Sequence, residues 1–259
     1  MAPSSKPTFV IAPGAAQTPA HYAYLTHLLL SQGYGVLSAL LPAVGTGAPV
    51  TAEDDADYIR SRMLLPVLDL EKHDVIMISH SYSGMPASAA ARGLGKADRA
   101  AEGKTTSVLG QIFIAAILAR GGDGKDVVAT FGGQLPPHIQ VDEAENLLRC
   151  ADPKPPLFYD VPPVLADAAV LSCMNPSLTS FKSPCPAATW DAEAFKGRCA
   201  YIRTLNDRAI PYEVQNMMLQ GTGQEWIAKD IETGHSPQLA APEKLSSIIL
   251  ELAKHFEEM

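Results

Sequence analysis

The amino-acid sequence predicts a single α/β domain with a mostly parallel central sheet of about six strands and helices on both faces. Short apolar segments alternate with amphipathic helical segments along the 259 residues. These short segments are apolar throughout rather than at every second position, which is typical of parallel strands buried on both sides. A chain of this length can form one large hydrophobic core.

Six segments have the length and the apolar, β-branched character of buried strands. They are residues 8–12, 34–41, 74–79, 107–117, 198–204 and 224–230. Four longer segments have helical periodicity, namely residues 20–32, 51–70, 83–93 and 242–258. Thr51 is the predicted N-cap of the second helix, because three acidic residues follow it in the first turn. Pro242 suits the first turn of the last helix.

Residues 121–197 interrupt this alternation and are rich in proline. We predict that they form a lid or cap inserted between the two parts of the core, residues 1–120 and 198–259. Helical pieces are expected at 142–150 and 164–174. A long loop without a functional role stays open as the alternative, although structureless loops of this length are rare in compact domains.

Composition and charge exclude several classes of function. The net charge of −8 argues against nucleic acid or an anionic membrane as the main partner. No apolar run is long enough to span a bilayer, and the N-terminal region is typical of a first strand rather than a secretory signal. We therefore expect a cytoplasmic protein, a monomer or homodimer, that acts on a small molecule.

The four cysteines, Cys150, Cys173, Cys185 and Cys199, have no metal-binding spacing. We expect free thiols, with a Cys173–Cys185 disulfide as an alternative that spacing alone does not decide. Neither the cysteines nor any pair of histidines suggests a metal site, and no cofactor is expected.

The third strand ends in Ser79-His80-Ser81-Tyr82-Ser83 and a helix of small residues follows at once. A turn this tight holds its central residue in a strained conformation with the side chain pointing out of the sheet. The residues two positions away on either side must be small, and the usual pattern is G-x-S-x-G. Here serine occupies both glycine positions. The stretch predicts a nucleophile at Ser81, with an ordinary strand-to-helix turn as the alternative.

Serine needs a base to remove its proton, and that base needs an acid to orient it. Asp207 follows the fifth strand and His235 follows the sixth, each on a loop at a carboxyl strand end. Because functional loops of parallel sheets gather at this edge, the two side chains should meet beside Ser81. Asp230 and Glu232 are competing acids. The backbone N–H groups of Ala15 and Tyr82 are the predicted oxyanion hole.

The chain resembles α/β-hydrolases of the plant methylesterase and hydroxynitrile lyase type, and more closely their fungal relatives. The segments that carry the resemblance are PTFVIAPGA, SHSYSGMP, LNDRAIPYEVQ and ETGHSPQLAAPEKL. Two departures matter. Pro13-Gly14 stands where these relatives have His-Gly. Ser236 and Gly14 replace the lysine and threonine of hydroxynitrile lyases, which argues against cyanohydrin cleavage.

Together these features predict a serine hydrolase that cleaves an ester, lactone or thioester of a small or medium apolar metabolite through an acyl-enzyme. The predicted substrate-binding residues are Gly14, His21, Phe158, Tyr159, Met174, Phe181 and Trp190. A cyclase or C–C bond-cleaving lyase of a natural-product pathway could use the same triad. A ligand-binding protein that retains the triad without catalysis is the third possibility.

Overall fold

The central sheet is the frame that positions the candidate site. The computed structural model describes residues 6–130 and 132–259. Its main sheet has six strands in the order β2-β1-β3-β4-β7-β8, and every neighbouring pair is parallel. The prediction of a mostly parallel sheet of about six strands is therefore confirmed. A small antiparallel pair, β5 and β6, lies apart from it.

The strands are short, as buried parallel strands usually are. They are β1 (Thr8–Ala12), β2 (Gly35–Ser38), β3 (Val75–His80), β4 (Val108–Ile114), β5 (Gln140–Asp142), β6 (Leu147–Arg149), β7 (Cys199–Thr204) and β8 (Ile227–Ile231).

The α-helices are α1 (Ala23–Ser31), α2 (Ala52–Tyr58), α3 (Gly84–Ala90), α4 (Lys96–Ala101), α5 (Val127–Thr130), α6 (Pro163–Ser172), α7 (Leu178–Lys182), α8 (Tyr212–Thr222), α9 (Pro237–Ala240) and α10 (Pro242–Glu258). Helical turns of other types cover Pro19–Tyr22, Ile59–Leu64, Pro66–Glu71, Ser81–Ser83, Lys154–Phe158 and Glu193–Phe195. Within the described residues, no helix combines the length and the apolar character that crossing a bilayer requires.

Alternate side chains of each strand enter different layers of the core. In β1, Phe9 and Ile11 pack with the layer that contains α1 and α10. Val10 and Ala12 face the opposite layer, which contains α2 and α3. The N-cap predicted at Thr51 is confirmed, because its hydroxyl accepts the backbone N–H of Asp54 at 3.1 Å. Both faces of the sheet are thus covered, which explains why the strands are apolar throughout.

One predicted helix is wrong, because residues 142–150 form the turn and second strand of a β-hairpin. Asn146 has a φ of 53°, which ends any helical path and reverses the chain. The backbone N–H of Leu148 donates to the carbonyl of Pro176 at 2.9 Å. Pairing with a segment distant in sequence therefore decides the conformation. The predicted fourth strand also ends early, at Ile114, because Ala115 has a φ of 41°.

Residues 121–197, here called the cap segment, lie between β4 and β7 and carry the hairpin and helices α5, α6 and α7. The backbone N–H of Met174 donates to the carbonyl of Ala16 at 3.1 Å, which joins the segment to the loop after β1. Movement of this segment as a lid stays a prediction. The four cysteines are free thiols, so the alternative Cys173–Cys185 disulfide is absent.

Candidate active site

The sharp turn after β3 presents Ser81 at the carboxyl edge of the sheet. Ser81 has a φ of 55°, a conformation that costs a non-glycine residue free energy and is often retained at functional positions. Ser83 fits the position that glycine usually occupies, since its buried hydroxyl donates to the carbonyl of Pro13. Gly84 allows the following helix to approach, because a Cβ there would lie 2.4 Å from the carbonyl oxygen of Ile117.

His235 lies between Ser81 and Asp207 and contacts both. Its Nε2 lies 3.0 Å from the Ser81 Oγ, and its Nδ1 lies 2.8 Å from an Asp207 carboxylate oxygen. Ser81 follows β3, Asp207 follows β7 and His235 follows β8. The parallel sheet therefore brings together loops that are far apart in sequence. With the proton on Nδ1, the free Nε2 can accept the proton of the serine hydroxyl.

Asp207 is held as a carboxylate by four donors. One oxygen accepts the backbone N–H groups of Ala209 and Ile210, each at 2.8 Å. The other accepts the Thr204 hydroxyl at 2.7 Å and the N–H of His235. Burial alone raises the pKa of Asp207, but the charge of His235 and these hydrogen bonds outweigh it and leave the pKa below its ordinary value. The side chain therefore stays ionised and orients the imidazole.

His80 supports the histidine-bearing loop from below. Its Nε2 lies 2.8 Å from the carbonyl oxygen of His235, and its Nδ1 lies 2.8 Å from the Tyr22 hydroxyl and 3.0 Å from Gln17 Oε1. Burial and the nearby charge of His235 lower the pKa of His80 to about 3. His80 is therefore neutral, with its proton on Nε2 to donate to the carbonyl. The network fixes the backbone that carries the His235 ring.

The loop after β1 and the residue after Ser81 lie side by side. Gly14, Ala15 and Tyr82 all border the same cavity as Ser81. A Cβ at Gly14 would lie 3.3 Å from the Ser81 Cβ, so a larger residue there would crowd the serine. The Tyr82 ring points away into the core, where its hydroxyl donates to Asp55 at 2.9 Å. Ala15 and Tyr82 therefore lie beside Ser81 at the cavity, and the oxyanion hole formed by their backbone N–H groups stays a prediction.

A mainly apolar cavity of about 330 Å³ opens above Ser81. The core contributes the loop after β1, the turn at Ser81, Ala209 and His235, and the cap segment contributes most of the remaining wall. The cap-segment residues are Pro136, His138, Ile139, Leu148, Cys150, Ala151, Pro153, Leu157, Val170, Cys173, Met174, Asn175, Pro176 and Phe181. No lysine, arginine, aspartate or glutamate is among the described lining residues. A neutral apolar ligand therefore matches this cavity.

Three of the predicted substrate-binding residues, Gly14, Met174 and Phe181, line the cavity. The other four, His21, Phe158, Tyr159 and Trp190, do not border it, because contacts with other parts of the fold hold their side chains elsewhere.

His21 and Phe158 are buried and stack on each other, with ring centroids 5.8 Å apart. The Nε2 of His21 is also bonded to the carbonyl of Ala169 at 3.0 Å. Trp190 is buried in the sheet-facing core, where it packs against Trp226. These side chains support the cap segment and the core rather than contact the cavity.

Tyr159 turns toward the loops that carry the candidate acid and base. Its hydroxyl donates to the carbonyl of Asn206 at 2.8 Å, and the Arg208 guanidinium lies 3.5 Å above its ring. This side chain therefore contacts the residues on either side of Asp207 instead of the cavity.

Five polar or thiol-bearing residues of the cavity wall were not predicted from the sequence, namely Gln17, His138, Cys150, Cys173 and Asn175. His138 is half-buried, and burial together with the charge of His235 lowers its pKa, so it lines the cavity as a neutral group. Burial raises the pKa of Cys173 to about 12, which keeps that thiol protonated. No local motif marks these residues, because their positions depend on how the cap segment folds over the sheet.

Comparison with known proteins agrees with this architecture. The chain matches the alpha/beta hydrolase family over residues 9–248. The alpha/beta hydrolase nvfD of Aspergillus novofumigatus is 27% identical over 254 residues, covering 96% of this chain and 97% of that protein. The crystal structure of the pyrethroid hydrolase PytH has a TM-score of 0.71 and 21% identity, covering 96% of this chain and 98% of the other. The methylesterase protein MES16 from Arabidopsis has a TM-score of 0.68 and 18% identity, covering 96% and 99%. At this identity, the two structural likenesses show the fold alone.

Proposed function

Because this chain belongs to the alpha/beta hydrolase family, we propose that it is a serine hydrolase that cleaves an ester, lactone or thioester of a neutral apolar metabolite. The observation that carries the proposal is the hydrogen-bonded series Ser81–His235–Asp207, with joining distances of 3.0 and 2.8 Å. The fungal relative nvfD, which is named as an alpha/beta hydrolase, supports the reaction class.

The reaction begins when His235 Nε2 takes the Ser81 proton and the Ser81 Oγ attacks the substrate carbonyl. Asp207, ionised at neutral pH, stabilises the imidazolium and keeps its proton on Nδ1. The backbone N–H groups of Ala15 and Tyr82 donate to the oxyanion of the tetrahedral intermediate. His235 then protonates the leaving oxygen or sulfur, the acyl group stays on Ser81, and water completes the cycle by the reverse proton transfers.

The cavity wall supports a neutral, apolar acyl or leaving group. Its 330 Å³ suits a compact molecule, and its described lining carries no ionised side chain that would pair with a charged substrate, apart from His235 during turnover. Met174 and Phe181 supply flexible and aromatic apolar contacts from the cap segment. His138 is one of the neutral polar groups of the wall that can meet a second oxygen of the substrate.

The proposal is tested with an unbiased panel of p-nitrophenyl esters, lactones and thioesters, assayed with the wild type and Ser81→Ala. We expect turnover of neutral apolar members, with Ser81→Ala losing on the order of 10³-fold or more. Labelling with a fluorophosphonate, which reads the reactivity of Ser81 without a substrate, runs in parallel. Unchanged turnover in Ser81→Ala would end the proposal.

The same experiment separates the two other functions that the sequence leaves open. Labelling of Ser81 without hydrolysis of any panel member would favour a cyclase or a C–C bond-cleaving lyase. Absence of both labelling and hydrolysis, with ligand binding that persists in Ser81→Ala, would favour a binding protein.

A further inference from the structure

Two adjacent cap-segment residues, Tyr159 and Asp160, contact both loops that carry the candidate acid and base. The Asp160 Oδ2 accepts the backbone N–H of Gly234 at 2.5 Å, directly before His235. The Tyr159 hydroxyl donates to the carbonyl of Asn206 at 2.8 Å, directly before Asp207. One dipeptide of the cap segment is thus bonded to the backbone next to each of two triad residues.

The backbone of Gly234 packs closely against the side chains of Tyr159 and Asp160. A Cβ on Gly234 would lie 2.7 Å from Asp160 Oδ1 and 2.7 Å from Tyr159 Cε1. A larger residue at position 234 would therefore displace the Asp160 carboxylate or the Tyr159 ring from its present contact. On the other side, the guanidinium of Arg208 lies 3.5 Å above the Tyr159 ring, within the range of a cation–π contact.

The Asp160 carboxylate is costly to place here, which indicates a role beyond packing. Its Oδ1 is buried and has no hydrogen-bond partner within the described part of the chain. A buried polar atom without a partner costs free energy that an apolar side chain would avoid. Among the residues that the structure describes, the hydrogen bond that this carboxylate accepts comes from the amide beside His235.

We propose that Tyr159 and Asp160 are positioning residues that couple the cap segment to the alignment of the triad. The same segment supplies most of the cavity wall, so substrate that packs against the wall also stabilises the contacts to Gly234 and Asn206. Loss of these contacts lets the His235 and Asp207 loops drift, and displacements near 1 Å can cost about 10²-fold in rate. This inference rests on the proposed serine hydrolase function.

The test compares Asp160→Ala, Asp160→Asn and Tyr159→Phe with the wild type on the best ester of the panel. Asp160→Ala should lower kcat by about 10- to 100-fold with KM within about threefold, since it removes alignment rather than cavity wall. Asp160→Asn retains an amide oxygen for the Gly234 N–H and should recover most of kcat. Tyr159→Phe should lower kcat in the same manner and by a smaller factor.

Asp167→Ala is the matched control, because Asp167 lies in the same segment but is mostly exposed and pairs with Lys154 at the surface. It should leave kcat and KM unchanged. Thermal unfolding and the rate of fluorophosphonate labelling are measured for every variant. A merely structural role would lower the melting temperature and leave kcat and labelling unchanged.

Two results would overturn the inference: wild-type kcat in Asp160→Ala, or equal losses in Asp160→Ala and Asp160→Asn. If the wild type hydrolyses no ester, the proposed function fails by itself. The labelling rates of Ser81 in the wild type and Asp160→Ala then still decide whether the dipeptide aligns the triad.

Discussion

Asp207→Asn exchanges one carboxylate oxygen for an amide nitrogen, and the surrounding donors decide which way the new amide turns. One carboxylate oxygen accepts two backbone N–H groups, from Ala209 and Ile210, and these donors cannot reverse. The other oxygen faces the Thr204 hydroxyl and the His235 ring, both of which can accept as well as donate. The new NH₂ group should therefore face His235.

This orientation forces the wrong tautomer on the imidazole. His235 must accept at Nδ1, so its proton moves to Nε2, which then faces the Ser81 Oγ as a donor and cannot take a proton from it. Loss of the base and of the carboxylate charge should lower kcat/KM by on the order of 10³- to 10⁴-fold, or about 4 to 5.5 kcal/mol in the activation free energy.

The assay is initial-rate hydrolysis of an activated ester near pH 7.5, with thermal unfolding to show that the variant is folded. Glu232→Gln is the control, because Glu232 is an exposed acid on the loop that leads to His235. It should keep wild-type activity within about twofold. Activity of Asp207→Asn within tenfold of the wild type would refute the reasoning about the tautomer.

Two further predictions concern stability, measured by denaturant unfolding. Gly84→Ala should lower the free energy of unfolding by about 1 to 3 kcal/mol, since the added Cβ would lie 2.4 Å from the Ile117 carbonyl oxygen. Gly221→Ala is the control and should not lower the free energy of unfolding, because a Cβ there meets nothing within 4 Å. Equal losses in the two variants would contradict the packing argument. Burial raises the pKa of Asp55 from 3.8 to about 6. The native state therefore binds an extra proton between these values, so the contribution of Asp55 to stability is greatest below pH 3.8 and falls by about 2 to 3 kcal/mol as pH rises through 6. Asp55→Asn, which can still bond the Tyr82 hydroxyl, should flatten this dependence, and an unchanged slope would show that Asp55 is not its source.

The central sheet and the meeting of three distant side chains follow from local patterns. Apolar segments such as residues 74–79 are predicted from their length and their apolar, β-branched character, and parallel order places the loops that follow them at one edge. Ser81 directly follows β3, and Asp207 and His235 lie on the loops that follow β7 and β8, so their convergence needs no information about the cap segment. The strained φ of 55° at Ser81 is likewise expected from the shortness of the turn.

The cap segment is harder to predict because its contacts are non-local. Residues 142–150 pair with Pro176 and Ser177 instead of forming a helix. Aromatic composition suggested a cavity wall, yet Trp190 packs in the core and Tyr159 turns toward the triad loops. In each case a tertiary partner decides the position, and no pattern in the sequence of the segment identifies that partner.

The central claim is that Ser81 forms a covalent acyl intermediate with the help of His235. Its most direct test is acid quench of the enzyme during turnover of a slow ester, followed by mass spectrometry of its peptides. We expect the acyl mass on the peptide that contains Ser81, and we expect it to be absent in Ser81→Ala and in His235→Ala. An acyl group on any other residue, or full turnover without modification of Ser81, would contradict it.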